Sequence, residues 1–268
     1  MTGPASRDHS TLGSVRNAAR LLKEFSRDHR ELGVTELARR LGVGKSTAHR
    51  LLATLAEERL VDQNPQTGAY RLGLAMYELG NAVAIHADLH DACSEIVDQL
   101  RNSTRETVQV AVLDGRQVVY VERRESPHTL RLFGRVGHRN WAHCTSTGKV
   151  LLAHLPSDRL ERLLEGWTLE PRTPHTVTSI PLLREQLAQI NARGWAENVS
   201  EAEIGVASVA APIRNGLGEV VASVSVAGPV QRVNGESLRR FAKPCVEAGL
   251  AVSRRLGFNG VGSHGMGR

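Results

Sequence analysis

The hydrophobic pattern of residues 33–55 predicts two helices joined by a tight turn. Thr35 is placed to cap the first helix, and a second helix starts at Lys45. Gly42 and Gly44 allow a sharp bend between the two helices because neither residue has a Cβ atom. The second helix carries an apolar stripe at helical spacing: Ala48, Leu51, Leu52 and Leu55. We therefore predict a helix-turn-helix, packed on an earlier amphipathic helix.

The outer face of the second helix is small, hydroxylated and basic. Its outward and flanking residues are Lys45, Ser46, Thr47, His49 and Arg50. Such side chains suit entry into the major groove of DNA. An ordinary helical hairpin with a solvated basic face is the alternative.

The segment GVGKST also resembles the end of a nucleotide-binding loop. However, Arg39 occupies the position at which that motif needs its first glycine.

Two short strands around Leu60 and Tyr70 flank a polar turn directly after this helix. A hairpin in this place makes a winged helix-turn-helix, with Arg71 expected to contact the phosphate backbone.

The segment after the wing has the spacing of a heptad repeat. Four apolar residues and one histidine follow each other at alternating intervals of four and three, and they form one seam: Leu72, Met76, Leu79, Val83 and His86. We predict a linker helix over residues 74–90 that pairs two subunits. Packing of the same helix on its own domain is the alternative.

The remaining sequence predicts strands in hairpins with helices between them. After a helix over residues 91–101, TVQVAVLDGRQVVYVERRE alternates around a turn at Asp114 and Gly115. A second such pair of strands spans residues 205–229. Further helices are predicted near 146–153, 157–165, 182–193 and 236–256. This order is typical of an α+β domain on an antiparallel sheet.

Composition and charge refine this organisation. The chain has 268 residues and a net charge of +6, and residues 1–73 carry 12 basic against 8 acidic side chains. Most of the positive excess therefore falls in the proposed DNA-binding part. Three widely spaced cysteines (Cys93, Cys144 and Cys245) match neither a disulfide framework nor a zinc site. His86 and His90 could share a metal on a helix, but we favour a solvated pair.

No apolar run approaches the length of a membrane span, and no signal peptide is visible. We expect a cytoplasmic protein that does not contact a membrane. The predicted organisation is a disordered tail (1–12), a DNA-binding domain (13–73), the linker helix (74–90), a second domain (91–256) and a flexible tail (257–268).

Several segments resemble, in order, the IclR family of bacterial transcription regulators. In the first half these segments are LARRLGVGKSTAHRLLATL and NPQTGAYRLG. In the second half they are VVYVERRESP, VGHRNWAHCTSTGKVLLA, EAEIGVASVAAPI and VVASVSVAGP. The resemblance covers residues 15–256. It implies a winged helix-turn-helix domain, a linker helix and a C-terminal effector-binding domain with a GAF-like fold.

Small polar residues stand immediately before a predicted helix in HCTSTGKVLLA. The first amides of a helix lack internal partners and carry partial positive charge, which suits a carboxylate. We therefore expect Ser146 and Thr147 to contact a ligand, with Gly148 permitting a close approach of the backbone. The family resemblance adds three positions: Asn198, Ser208 and Ser225. Each of these residues could instead be an ordinary capping or strand residue.

The sequence as a whole predicts a ligand-responsive transcription regulator without a cofactor, a metal or catalytic activity. The resemblance implies a palindromic double-stranded DNA operator, a homodimer or homotetramer, and a small organic acid as effector. One alternative is an enzyme or thiol redox sensor that uses His143, Cys144 or Ser146. Another alternative is an architectural DNA binder without a ligand. Whether the regulator activates or represses transcription stays open.

Overall fold

The computed structural model describes residues 12–26, 29–81, 84–132 and 134–260, with the backbone alone at 81 and 84–87. Residues 1–11 and 261–268, which hold most of the two predicted tails, lie outside this part of the chain. The chain divides into two compact units, Met1–Ala84 and Ile85–Arg268, so the boundary falls within the predicted linker. In the part that the structure describes, no helix is both long and apolar enough to cross a bilayer.

The first unit is a three-helix domain with a short hairpin. Its elements are α1 Gly13–Glu24, α2 Val34–Leu41, α3 Lys45–Glu57, β1 Val61–Gln63 and β2 Tyr70–Leu72. The apolar stripes of the helices meet in one core, where Leu21, Leu37 and Leu52 are fully buried. Strands β1 and β2 pair antiparallel. The predicted winged helix-turn-helix is confirmed.

The ends of α2 show one correct and one wrong prediction. Gly42 ends the helix with φ at +69°, a left-handed conformation that glycine adopts without strain. At the other end, α2 begins at Val34 and Gly33 is the N-cap residue, so Thr35 does not cap the helix. The physical reason is the pairing of Leu32 with Tyr70 of the wing, which holds the chain extended until Gly33.

Two helices follow the wing, α4 Ala75–Asn81 and α5 Ala84–Thr104. The predicted linker, residues 74–90, is therefore shared between α4 and the first turns of α5. The prediction of a separate helix over residues 91–101 is wrong, because α5 runs through that segment without interruption. In the heptad seam, Leu72 and Leu79 are exposed, whereas Val83 and the side chain of His86 lie outside the described residues.

The second unit is built on a six-stranded antiparallel sheet with strand order β5-β4-β3-β8-β7-β6. The strands are β3 Thr107–Asp114, β4 Gln117–Arg124, β5 Arg139–Trp141, β6 Ala196–Val199, β7 Val206–Arg214 and β8 Val220–Pro229. The hairpins β3–β4 and β7–β8 agree with the sequence, and β3 pairs with β8 to join them. The sequence pattern does not predict the edge strands β5 and β6, because they are short and contain few apolar residues.

Helices cover both faces of this sheet. Helix α5 and the last helix, α9 Gly235–Arg255, pack on one face against Val108, Val209 and Val224. The other face is covered by α6 Ser146–Ala153, α7 Ser157–Leu164 and α8 Ile180–Arg193. Alternate strand residues point to opposite faces, so one set of side chains faces α6. The predicted α+β architecture is confirmed, while the GAF-like assignment stays a prediction.

Candidate DNA-binding surface and effector cavity

Helix α3 presents the predicted DNA-contacting residues to solvent. Ala48, Leu52 and Leu55 are buried in the domain core. The residues on the opposite and flanking faces are exposed: Lys45, Ser46, Thr47, His49 and Arg50. An exposed second helix of this kind has the geometry needed to enter a major groove. The contacts of the individual side chains with DNA stay predictions.

Ion pairs neutralise some basic residues of this domain and leave others available. The Glu36 carboxylate accepts hydrogen bonds at 2.7 Å from both Arg39 and Arg40. These two bonds hold the pKa of the Glu36 carboxyl at about 2, below its usual 4.5. Lys45 and Arg50 have no carboxylate partner among the described residues. Their charge is therefore available to phosphate or base acceptors.

Arg71 lies on the wing, as predicted, but it is not free of acidic neighbours. It stands opposite Asp62 in the β1–β2 ladder, and its Nε lies 3.9 Å from the Asp62 carboxylate. Both side chains are about half exposed. The predicted phosphate contact of Arg71 would therefore compete with Asp62.

A cavity of about 360 Å³ lies at the amino end of α6. Five of the six predicted effector-binding residues line it: Ser146, Thr147, Asn198, Ser208 and Ser225. The strand residues share one face of the sheet, because Ser208 stands opposite Asn198 on β6 and Ser225 stands opposite Gln109 on β3. The structure thus brings together residues from α6, β6, β7 and β8. That these residues bind an effector stays a prediction.

The amino end of α6 combines unpaired amides with hydroxyl groups. Thr145 caps the helix, and its hydroxyl accepts a hydrogen bond from the Gly148 amide at 3.1 Å. The amides of Ser146 and Thr147 belong to the first turn, so they have no acceptor within the helix. The Ser146 and Ser208 hydroxyls lie 2.7 Å apart and join α6 to β7. This arrangement suits an anionic ligand that also accepts or donates hydrogen bonds.

Gly148 has a different role from the one predicted. A Cβ atom at this position would lie 2.3 Å from the Cα and carbonyl oxygen of Ala142. Glycine is therefore required where α6 packs on the 3-10 turn Ala142–Cys144. Gly148 is absent from the cavity lining in the described part of the chain. Its close backbone approach is to this turn and not to the cavity.

A buried hydrogen-bond network holds Asn198 in the cavity wall. Its amide donates to the Cys144 carbonyl, and its Oδ1 accepts from the Glu201 amide at 3.0 Å. The Lys149 ammonium in turn donates to both carboxylate oxygens of Glu201, at 2.7 and 2.6 Å. Burial raises the pKa of Glu201, although the neighbouring Lys149 acts in the opposite direction. Asn198 therefore connects the cavity to a buried ion pair.

Several polar lining residues were not found by sequence reasoning. They are Gln109, Tyr120, Arg123, His138, Arg139, Asn140, Thr145, Arg172 and Glu203. Tyr120 and His138 stack with ring centroids 6.4 Å apart. Burial raises the pKa of the Tyr120 hydroxyl and lowers that of His138. A polar residue within an otherwise apolar strand could have indicated such a position, as Gln109 does in β3.

The residues considered for catalysis are not arranged as a nucleophile and its base. Ser146 pairs with Ser208, and the His143 Nε2 lies 3.1 Å from the Glu170 carbonyl oxygen. Burial lowers the pKa of His143 and raises that of the Cys144 thiol to about 11. The described geometry thus lacks the hydrogen bond that activates a serine or cysteine nucleophile.

The proposed solvated pair of His86 and His90 is described only in part. The His90 ring contacts the Glu122 carboxylate, which also accepts a hydrogen bond from Arg124 at 2.7 Å. His90 therefore belongs to a polar cluster that joins α5 to β4, whereas the His86 side chain lies outside the described residues.

Comparison with known families agrees with this architecture. Residues 14–65 match the IclR helix-turn-helix domain, and residues 81–254 match the bacterial transcriptional regulator IclR C-terminal domain. The chain belongs to the IclR family of bacterial transcriptional regulators. It is accordingly a DNA-binding transcription regulator with an effector-binding C-terminal domain.

Similar proteins of the IclR family include two regulators from Escherichia coli. The HTH-type transcriptional regulator XynR is 37% identical over 91% of this chain and 97% of its own length. The regulator KdgR is 32% identical over 81% of this chain and 82% of its own. A solved structure of an IclR homolog from Microbacterium hydrocarbonoxydans, complexed with 4-hydroxybenzoate, is also similar to this chain. The two sequences are 26% identical, and the structures superpose with a TM-score of 0.81 over 91% of this chain and 99% of the homolog.

Proposed function

We propose that this IclR regulator binds a palindromic operator as a dimer or dimer of dimers, and that a small organic acid in the α6 cavity controls this binding. The observation that carries the proposal is the cavity itself. It places the first-turn amides of α6 beside the Ser146 and Ser208 hydroxyls on one polar wall. The partial positive charge of these amides favours a carboxylate.

Pairing of subunits through the linker is supported by its exposed apolar side chains. Leu74, Tyr77 and Leu79 are each more than half exposed, and Leu72 is 40% exposed. Removal of such side chains from water by a second copy would be favourable. A two-fold dimer would present two α3 helices to half-sites related by the same symmetry.

We also propose that the chain catalyses nothing and acts in the cytoplasm, where an operator is accessible. Two observations support the first point. The relatives reported above are named as transcriptional regulators. The Cys144 thiol is 1% exposed, and its raised pKa disfavours the reactive thiolate.

Thr147→Leu tests the cavity, with Thr178→Leu as a control on an exposed threonine. A library of organic acids is screened by thermal shift, and the operator is selected from random DNA. An acid at 100 times its Kd should stabilise the native protein by about 2.7 kcal/mol. Thr147→Leu should remove this stabilisation, because the larger side chain fills the cavity, and should leave operator affinity unchanged. An unaltered dose-response curve in Thr147→Leu would place the effector elsewhere.

A further inference from the structure

A second cavity, of about 380 Å³, lies between α8 and β6, and we call it the α8 cleft. One face of α8 lines it through four residues at helical spacing: Gln186, Gln189, Ile190 and Arg193. The rest of the lining is Lys149, His175, Val177, Glu197, Val199 and Glu201. Among the described residues, the α8 cleft shares no lining side chain with the α6 cavity. It is therefore a separate site, with a volume in the range of about 300–1,000 Å³ found for small-molecule sites.

Strand β6 separates the two cavities. Alternate residues of a strand point to opposite sides, so Glu197 and Val199 line the α8 cleft while Asn198 lines the α6 cavity. The buried Lys149–Glu201 pair belongs to the lining of the α8 cleft, and the Glu201 amide donates to Asn198 Oδ1 at 3.0 Å. The two cavities thus have a common wall, although each presents its own side chains.

Hydrogen-bond acceptors in the α8 cleft are incompletely used. Gln186 Oε1 is buried and has no hydrogen-bond partner among the described residues. The Glu197 carboxylate lies 3.8 Å from Arg193 Nη1, which is beyond hydrogen-bond distance. Burial raises the pKa of Glu201, and the charge of the neighbouring Glu197 raises it further. A buried acceptor beside two neighbouring carboxylates favours a ligand group that donates several hydrogen bonds, as an ammonium group does.

Arg193 supplies a cationic group to the same cleft. Its guanidinium lies over the Trp195 ring, 4.0 Å from the centroid, and its Nε donates to the Trp195 carbonyl at 2.7 Å. These two contacts hold the guanidinium in place. Within the part of the chain that the structure describes, Nη1 and Nη2 donate no hydrogen bond. They are therefore available to a carboxylate, which a guanidinium binds through two parallel hydrogen bonds.

The charges of the α8 cleft balance, and its remaining surface is largely aliphatic. The charged side chains are two cations and two anions: Lys149, Arg193, Glu197 and Glu201. A ligand with a single net charge would match one sign and oppose the other, whereas a zwitterion matches both. Val177 and Ile190 are buried in the lining, and Val199 is about half exposed. An aliphatic group of the ligand would pack on these side chains.

We propose that the α8 cleft is a second ligand site and that it takes an aliphatic α-amino acid. The ammonium group of the amino acid binds Gln186 Oε1 and Glu197, its carboxylate binds Arg193, and its side chain packs on Val177 and Ile190. This site is independent of the organic acid proposed for the α6 cavity.

Calorimetry on the full-length protein tests the three requirements with L-leucine, L-isoleucine and L-valine. The analogue 4-methylpentanoate is leucine without the ammonium group, 3-methylbutylamine is leucine without the carboxylate, and glycine lacks the aliphatic side chain. At least one aliphatic amino acid should bind at least about tenfold more tightly than each analogue, because each analogue leaves part of the site unpaired or unfilled. Absence of binding by all three amino acids, or equal binding by any analogue, would overturn the proposal.

Variants locate the bound amino acid. Gln186→Leu should weaken its binding at least about tenfold, whereas Asn191→Leu, at an exposed position of α8 outside the lining, should leave it unchanged. Arg193→Gln should also weaken binding at least about tenfold, and Arg193→Lys should restore part of the loss because it restores the charge. Unchanged affinity in Gln186→Leu or in Arg193→Gln would overturn the proposed site. Circular dichroism reports whether each variant is folded.

Thr147→Leu distinguishes this inference from the proposed function. The substitution fills the α6 cavity, whereas Thr147 is absent from the lining of the α8 cleft in the described structure. Amino-acid binding should therefore persist in Thr147→Leu. Loss of amino-acid binding in this folded variant would place the amino acid in the α6 cavity and overturn the second site, without contradicting an organic-acid effector.

Discussion

Lys149 and Glu201 form a buried bidentate ion pair, with the Lys149 ammonium 2.7 and 2.6 Å from the two carboxylate oxygens. The Lys149 side chain is 2% exposed and that of Glu201 is 12% exposed. Each charge is thus compensated chiefly by the other. The amide of Glu201 also holds Asn198 in the wall of the cavity.

Removal of one member of this pair should destabilise the protein. We expect Lys149→Met to lower the free energy of unfolding by about 3–5 kcal/mol, because Glu201 is left buried without its counter-charge. Lys149→Met combined with Glu201→Leu should recover much of the loss, since no isolated charge remains. Urea unfolding measures both effects. Arg184→Met, which breaks the exposed pair with Glu161, should change stability little. A small effect of Lys149→Met alone would contradict this account.

The native thiols should resist alkylation. Burial raises the pKa of Cys144 to about 11 and those of Cys93 and Cys245 to about 12, and the thiolate is the reactive form. Iodoacetamide at pH 8 should label the three cysteines only after unfolding, as read by mass spectrometry. Rapid labelling of Cys144 in the native protein would revive the redox-sensor alternative.

The same thiols predict a pH dependence of stability. Their pKa values in the folded chain lie above the unfolded value of 9.0. Above about pH 9 the unfolded chain releases thiol protons that the native protein retains. The cysteine contribution to the free energy of unfolding should therefore fall as the pH rises from 9 to 11. Comparing urea unfolding of the wild type with that of Cys245→Ala over this range isolates the contribution of Cys245.

Arg50 should contribute to operator recognition more than Arg39. Arg50 is exposed on α3 without a carboxylate partner in the described structure, whereas Arg39 is bound to Glu36. If Arg50 contacts a base, Arg50→Ala should weaken operator binding by about 1–3 kcal/mol, concentrated at one base position. Arg39→Ala should cost less. Fluorescence anisotropy with single-base operator variants gives both values, and equal losses would contradict the assignment.

The exposed linker should mediate subunit pairing. Leu79 is 57% exposed on α4, so Leu79→Glu would place like charges together in a symmetric pair of linkers. We expect a shift towards monomer in sedimentation and weaker binding to a palindrome. Leu217→Glu is the matched control, because Leu217 is also exposed but lies in the β7–β8 turn. Unchanged sedimentation of Leu79→Glu would show that the dimer forms elsewhere.

Local sequence patterns predict most of the helices and strands. The features that they do not predict depend on contacts between residues far apart in the chain. The turn at Gly42 and the hairpin at Gly115 both have positive φ, and glycine marks such positions in a sequence. The start of α2 was misplaced because the pairing of Leu32 with Tyr70 determines it. Similarly, Arg123 looks like an ordinary basic strand residue until the fold places it at the cavity. Five of the six predicted effector positions line one cavity, and Gly148 differs because its constraint comes from Ala142.

The pairing of β3 with β8 has a consequence for how the binding site forms. It places Thr107 opposite Ala227 and Gln109 opposite Ser225, residues separated by more than a hundred positions in the chain. Closing so long a loop is entropically costly, and contacts of this range slow folding. During synthesis, the cavity wall is incomplete until β8 has left the ribosome. Effector binding should therefore appear late in refolding, after the helices have formed, and report completion of the sheet.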